Sequence, residues 1–275
     1  MRLDDMRRSD NVEDRRGFTP VHGIGLGTIV LLIVGYFMGV SPSTLMGLLG
    51  AGESVTQGAG GAQQQGVTGR PHDAQGDFAA AVLGETEDVW TKYFAAAGQH
   101  YTPPTLVLFN GEVASACGDA STAAGPFYCP GDQKVYIDLD FFNQLASEFG
   151  APGDFARAYV LAHEVGHHVQ NLLGLTNGSA SRGANGGSVA IELQADCLAG
   201  VWAMRDQRII EPGEVQQALA AAAAVGDDTL QKRMQGRVVP DTFTHGTAAQ
   251  RQRWFERGFQ GGKIESCDTQ SASQL

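Results

Sequence analysis

Basic side chains are scarce in this chain. Nineteen Lys and Arg stand against 30 Asp and Glu, leaving a net charge of −11 over 275 residues. No basic patch gathers on any readable element, and phosphate contacts need Lys and Arg, so the composition argues against a nucleic-acid partner. The same charge disfavours lipid-surface binding by the folded part itself. No tandem repeat is present, and nothing in the sequence reports an oligomeric state. The length allows one sizeable domain with attachments.

Charge is missing altogether from Ile24 to Val40, IGLGTIVLLIVGYFMGV, a run of 17 residues. That is the short edge of what crosses a bilayer, and Pro20–Gly23 or Ser41 can extend it. A cleaved signal peptide would have a shorter apolar stretch ending in a small-x-small site. Arg2, Arg7, Arg8, Arg15 and Arg16 precede the run, and the next arginine is Arg70. Counting basic residues alone, residues 1–23 are expected as a cytoplasmic tail and 24–40 as one transmembrane helix. The remainder is then exported: in a bacterium, a single-pass inner-membrane protein with a periplasmic or extracellular domain. Residues 41–76 read as a flexible linker, since the stretch GESVTQGAGGAQQQGVTG has almost no large apolar side chains. The folded domain is expected over residues 77–275.

Within it, Phe78, Val82, Val89, Trp90 and Phe94 recur at threes and fours, predicting a helix over 77–98. Thr105–Phe109 and Val135–Leu139 read as strands, the second with one apolar face. Helices are predicted over 141–149, from Gly153 or Asp154 to a stop at Gly174, over 188–208 and over 212–225. Thr247 with Gln250 forms a capping box for a last helix holding Trp254, Phe255 and Phe259. The pattern is α+β, a small sheet with mostly helices.

The predicted helix ending at Gly174 contains His163-Glu164-Val165-Gly166-His167. Positions four apart share a helix face, so both imidazoles can reach one zinc ion. Glu164 lies about 100° round the helix, placed to act on water as a general base without ligating the metal. Buried histidines bonded to carbonyls are the plainer alternative, which leaves a carboxylate unexplained in an apolar helix. A catalytic zinc wants a third protein ligand. Glu192 is expected to supply it, with Asp196 one turn later accepting a hydrogen bond from a zinc histidine. The exchange of those two roles remains open, since both share one face.

His245, in the loop before the capped helix, could donate to the tetrahedral intermediate, stack in the core or bond a carbonyl. His168 stands four after Glu164 and could orient it, or be exposed. The strand 135–139 is a candidate edge for an extended substrate. Four cysteines agree with export. Cys117–Cys129 encloses a small glycine-containing loop, and Cys197–Cys267 remains as a long-range pair.

Beyond these readings, the chain resembles the neutral zinc metallopeptidases of bacteria, a membrane-anchored group within the zincins. The resemblance is carried by Arg15-Arg16-Gly17, Ser115-Ala116-Cys117-Gly118 and Gly125-Pro126-Phe127-Tyr128-Cys129-Pro130. It continues through Val135–Leu139, Leu161–Gln170, Glu192–Cys197 and Thr244–Thr247. It implies a zincin-like fold, zinc on His163, His167 and Glu192, Glu164 as base with Asp196 behind, and a place at the bacterial envelope. The expected activity is hydrolysis of peptide or protein substrates by a membrane-tethered endopeptidase. The competing expectation is a non-catalytic envelope module with a structural zinc.

Overall fold

Thr105–Phe109 is buried at its last four positions in succession, as a strand covered on both faces must be. The computed structural model describes residues 1–17, 66–176 and 184–275. Its strands are β1 (Val12–Asp14), β2 (Val67–Thr68), β3 (Thr105–Phe109), β4 (Glu112–Ser115), β5 (Gly118–Ser121), β6 (Phe127–Cys129) and β7 (Lys134–Asp138). Five of them make a mixed sheet in the order β2-β1-β3-β7-β6, and β4 pairs with β5 apart from it. β1, β3 and β7 run parallel; β2 and β6 close the sheet antiparallel.

Alternation along β3 and β7 divides two cores. Leu106, Leu108, Val135 and Ile137 join the large core with the helices. Val107, Phe109 and Tyr136 face the other way, onto Cys129 and Val113. There Phe127 stacks on Tyr136 with ring centroids 4.7 Å apart.

The helices are α1 (Ala74–Ala96), α2 (Asp140–Ser147), α3 (Asp154–Leu173), α4 (Ala184–Arg205), α5 (Glu214–Ala224), α6 (Asp227–Gln235) and α7 (Ala248–Gly261). The Asp73 carboxylate caps α1 by accepting from the Gly76 amide. Gly174 ends α3 in the left-handed conformation, φ 64°, which only glycine adopts freely. The capping box of Thr247 and Gln250 starts α7. The architecture is therefore α+β, a small sheet and mostly helices. Among the described residues no helix is long and apolar enough to cross a membrane.

Several expectations need correction. Residues 1–17 are not a separate tail: β1 sits inside the sheet, and Met1–Gly17 forms one unit with Gly66–Leu275. The expected linker likewise contributes β2 and the start of α1. The proposed anchor 24–40 and linker residues 41–65 lie outside the described residues. Strand β7 is not an edge, since β3 and β6 flank it; β6 is the edge. The β4–β5 hairpin, β6 and α6 had no counterpart in the periodicity.

Candidate metal centre

Helix α3 carries the two histidines and α4 answers with two carboxylates. The helices approach closely at Gly166, where a Cβ would meet the Ala195 carbonyl oxygen at 3.0 Å. Even a methyl group there would require the two helices to give by a few tenths of an ångström. At this separation His163 Nε2 lies 3.2 Å from Glu192 Oε2, and His167 Nε2 lies 3.4 Å from Glu192 Oε1. One donor atom from each of the three falls within 4.8 Å of the others. Among the described residues this is the cluster that could hold a metal ion.

The other ring nitrogens are tied back. His163 Nδ1 is 2.8 Å from Asp196 Oδ1, and His167 Nδ1 is 2.8 Å from Gln170 Oε1. Both partners are acceptors, so each ring carries a proton on Nδ1 and turns Nε2 toward Glu192. Gln170 is held in turn, its Nε2 donating to the Ile191 carbonyl at 2.7 Å and to Gln194 Oε1 at 2.9 Å. Two imidazole nitrogens and a carboxylate, pre-aimed in this way, are a donor set that suits zinc.

Charge favours a cation in the same place. Burial alone would push both imidazoles down and Glu192 up. The mutual attraction wins: Asp196 and Glu192 raise His163 to about 10, and the two histidines hold Glu192 well below the ordinary carboxylate range. Asp196 is held at about 2 against its burial by Arg251 and His163. A divalent cation would take the place of the protons those rings otherwise keep.

Asp196 gathers four hydrogen bonds behind the site. It is fully buried, accepts from Arg251 twice, and takes the Tyr159 hydroxyl as well as the His163 ring. It stands behind His163, whereas Glu192 reaches both imidazoles. Glu164 is also buried, and its charge helps raise His167.

His245 lies on the loop between α6 and α7. Asp227 organises that loop, its Oδ2 accepting from the Thr244, His245 and Gly246 amides at 2.8, 2.7 and 2.9 Å. Its Oδ1 is 3.3 Å from His245 Nδ1. The loop rests on α4: a Cβ on Gly246 would touch Leu193 and Val189 at 3.2 and 3.3 Å. The Glu192 charge is felt at the His245 ring. His168 is neither exposed nor bonded to Glu164. It is buried between the Tyr128 hydroxyl at 3.0 Å and the Thr102 carbonyl at 2.7 Å. The cysteines form two bonds, Cys117–Cys129 and Cys197–Cys267, and none is free.

Tyr159, Gln170, Gln194, Asp227 and Arg251 were missed from sequence. Tyr159 and Gln170 did leave a signal, standing four before His163 and three after His167 on the metal helix.

A helix-borne His-Glu-x-x-His met by a glutamate from the next helix defines the centre of a metallopeptidase-like protein. The chain belongs to the family described as "Putative neutral zinc metallopeptidase", which matches residues 1–270. It is 44% identical over 288 residues to "Uncharacterized protein YpfJ" of Escherichia coli, covering 98% of each chain. It is 50% identical over 190 residues to "Uncharacterized protein Rv2575" of Mycobacterium tuberculosis, covering 64% of this chain and 65% of that one. No solved structure matches it.

Proposed function

We propose that the protein is a membrane-tethered, zinc-dependent endopeptidase, with His163, His167 and Glu192 as ligands of one zinc ion. The observation that carries the reading is the convergence of three, and only three, protein donors among the described residues beside a buried carboxylate, Glu164. A structural zinc closes its shell with four protein ligands, whereas three leave a position for water and substrate. When bound, zinc supplies a Lewis acid that polarises a peptide carbonyl and makes water a better nucleophile near neutral pH.

The chain's own residues do the rest. Glu164 takes the proton of the attacking water and returns it to the leaving amine, so no covalent intermediate is required. Asp196 keeps the His163 proton on Nδ1, and Gln170 does the same for His167. His245, on its Asp227-anchored loop, donates to the oxyanion. The free edge of β6 offers main-chain groups to an extended peptide. Tyr128 of that strand ties it to the metal helix through His168 and Asn171.

The two disulfides support work on the exported side of a bacterial envelope. Metal analysis of wild type and E164Q, with both tested on a mixed peptide library, decides between enzyme and zinc-stabilised module. The expected result is equal zinc in both and cleavage by wild type alone. Zinc in both with cleavage by neither would overturn the enzyme and leave the module.

A further inference from the structure

We infer that Tyr128, His168 and Asn171 form a clamp that fixes the free edge of β6 against the metal helix, so that an extended peptide joining that edge meets the metal centre in one register. The three are positioning residues for the peptide, and the inference rests on the peptidase reading above. It starts from the shortness of β6. Phe127–Cys129 is three residues long and, among the described strands, pairs with β7 alone. Strands usually run to five or six residues. An edge this short has few ladder bonds of its own, so its side chains must hold it.

Both faces of β6 are fastened. Side chains alternate along a strand, so Phe127 and Cys129 point one way and Tyr128 the other. On the first face Phe127 stacks on Tyr136, and Cys129 is bonded to Cys117, just before β5. The turn that follows is held by Asp132, which accepts from the Ala116 and Lys134 amides and the Tyr136 hydroxyl at 3.1, 3.2 and 2.7 Å. On the second face the Tyr128 ring packs against the large core and meets His168 edge-on, with centroids 5.4 Å apart.

The Tyr128 hydroxyl is the joint. It lies 3.0 Å from His168 Nδ1 and 3.0 Å from Asn171 Nδ2, both on α3. The Thr102 carbonyl, 2.7 Å from His168 Nε2, can only accept, so Nε2 carries a proton. Asn171 Nδ2 can only donate. With the ring neutral, the hydroxyl accepts from Asn171 and donates to His168 Nδ1, and each donor from Asn171 to Thr102 meets one acceptor. His168 is fully buried, with Tyr101 edge-on at 5.9 Å, so its ring is held in place. It directly follows His167, about 100° round the helix. One turn of α3 thus aims one imidazole at Glu192 and gives the next to β6, tying the edge and the metal ligand to the same backbone.

Peptide binding to zinc-loaded E164Q protein separates placement from reaction. Fluorescein-labelled decapeptides of mixed sequence are titrated into E164Q alone and with Y128F, N171L or both. Zinc content is measured in each, and hydrogen exchange is followed at the Phe127–Cys129 amides. Peptide is expected to slow exchange in β6. Y128F is expected to weaken binding about 3–10-fold, the size of one hydrogen bond, with zinc content unchanged. Adding N171L to Y128F should weaken it no further, since both act through one hydroxyl. N171L alone, at a half-buried position on α3, repeats the test without altering the strand. Equal affinity in Y128F and N171L, additive losses, loss of zinc, or peptide binding that leaves β6 exchange unchanged would each overturn the inference, as would no peptide binding at all. Wild type that cleaves nothing while the binding contrast holds would remove the reaction and keep the clamp.

Discussion

Arg251 grips Asp196 with two hydrogen bonds, Nε to Oδ2 at 2.8 Å and Nη2 to Oδ1 at 2.9 Å, in the wall behind His163. Arg251 is 4% exposed and Asp196 is fully buried. Removing the guanidinium leaves a buried carboxylate uncompensated, which costs about 3–5 kcal/mol. R251M is therefore expected to melt early and to lose zinc to a chelator about 10–100-fold more readily, because the acceptor that orients His163 loses its own anchor. R251K restores charge but not the two-pronged bond, and is expected to fall between. Zinc affinity unchanged in R251M would remove Arg251 from the metal site.

The Asp227–His245 contact has a spectroscopic test. Asp227 raises the imidazole pKa by its hydrogen bond, against a burial that lowers it. In D227N the His245 pKa is expected to drop toward or below the ordinary histidine value, followed by an NMR titration of that ring. A pKa equal to wild type would mean that His245 takes its charge from another source.

Glu85 predicts a pH dependence far from the metal. It is buried beside Asp206, and burial followed by the Asp206 hydrogen bond and charge raises it from 4.5 to about 8. A folded pKa above the unfolded one means the native state holds the proton longer. The contribution is thus complete below about 4.5 and is lost as pH rises through about 8. Wild type is expected to lose a few degrees of melting temperature relative to E85Q between pH 5 and pH 8. Parallel melting curves across that range would mean that Glu85 ionises normally.

The two disulfides are expected to differ in weight. Loop-closure entropy assigns about 3 kcal/mol to the Cys117–Cys129 loop and about 4 kcal/mol to the longer Cys197–Cys267 loop. Replacing the second pair by serine should also weaken zinc binding, since Cys197 adjoins Asp196 on α4. Gln194 adds a second tie, donating to the Cys267 carbonyl at 2.9 Å. Denaturant melts and zinc competition on the two double-serine variants check both statements. Equal zinc affinity in the two would separate this bridge from the site.

The site's local half was legible because helix geometry writes it into spacing. His163 and His167 share a face, as do Glu192 and Asp196, whatever the tertiary fold. Arg251 was invisible for the opposite reason: it meets Asp196 only because α7 packs on α4, and nothing local encodes that. Strand β1 is three residues, Val-Glu-Asp, too short for a period and too polar to suggest an interior strand. Its place is fixed by backbone bonds to strands far along the chain. The arginine count near the amino terminus was easy to take, but the carboxylates that use those arginines, Asp73, Asp77 and Glu87, lie beyond the apolar run. His168 shows the same limit, since its partners Thr102 and Tyr128 come from separate segments.

The position of β1 also sets an order of events during synthesis. Its first residues leave the ribosome long before β3 and β7 exist, so for most of translation this arm has no partner. β3 and β7 are close in sequence and can pair early, while the insertion of β1 waits on a contact of large sequence separation. Until then Arg7 and Arg8 lack their partners Glu87 and Asp77, which lie beyond the hydrophobic run. A strand made early is thus among the last to find its place.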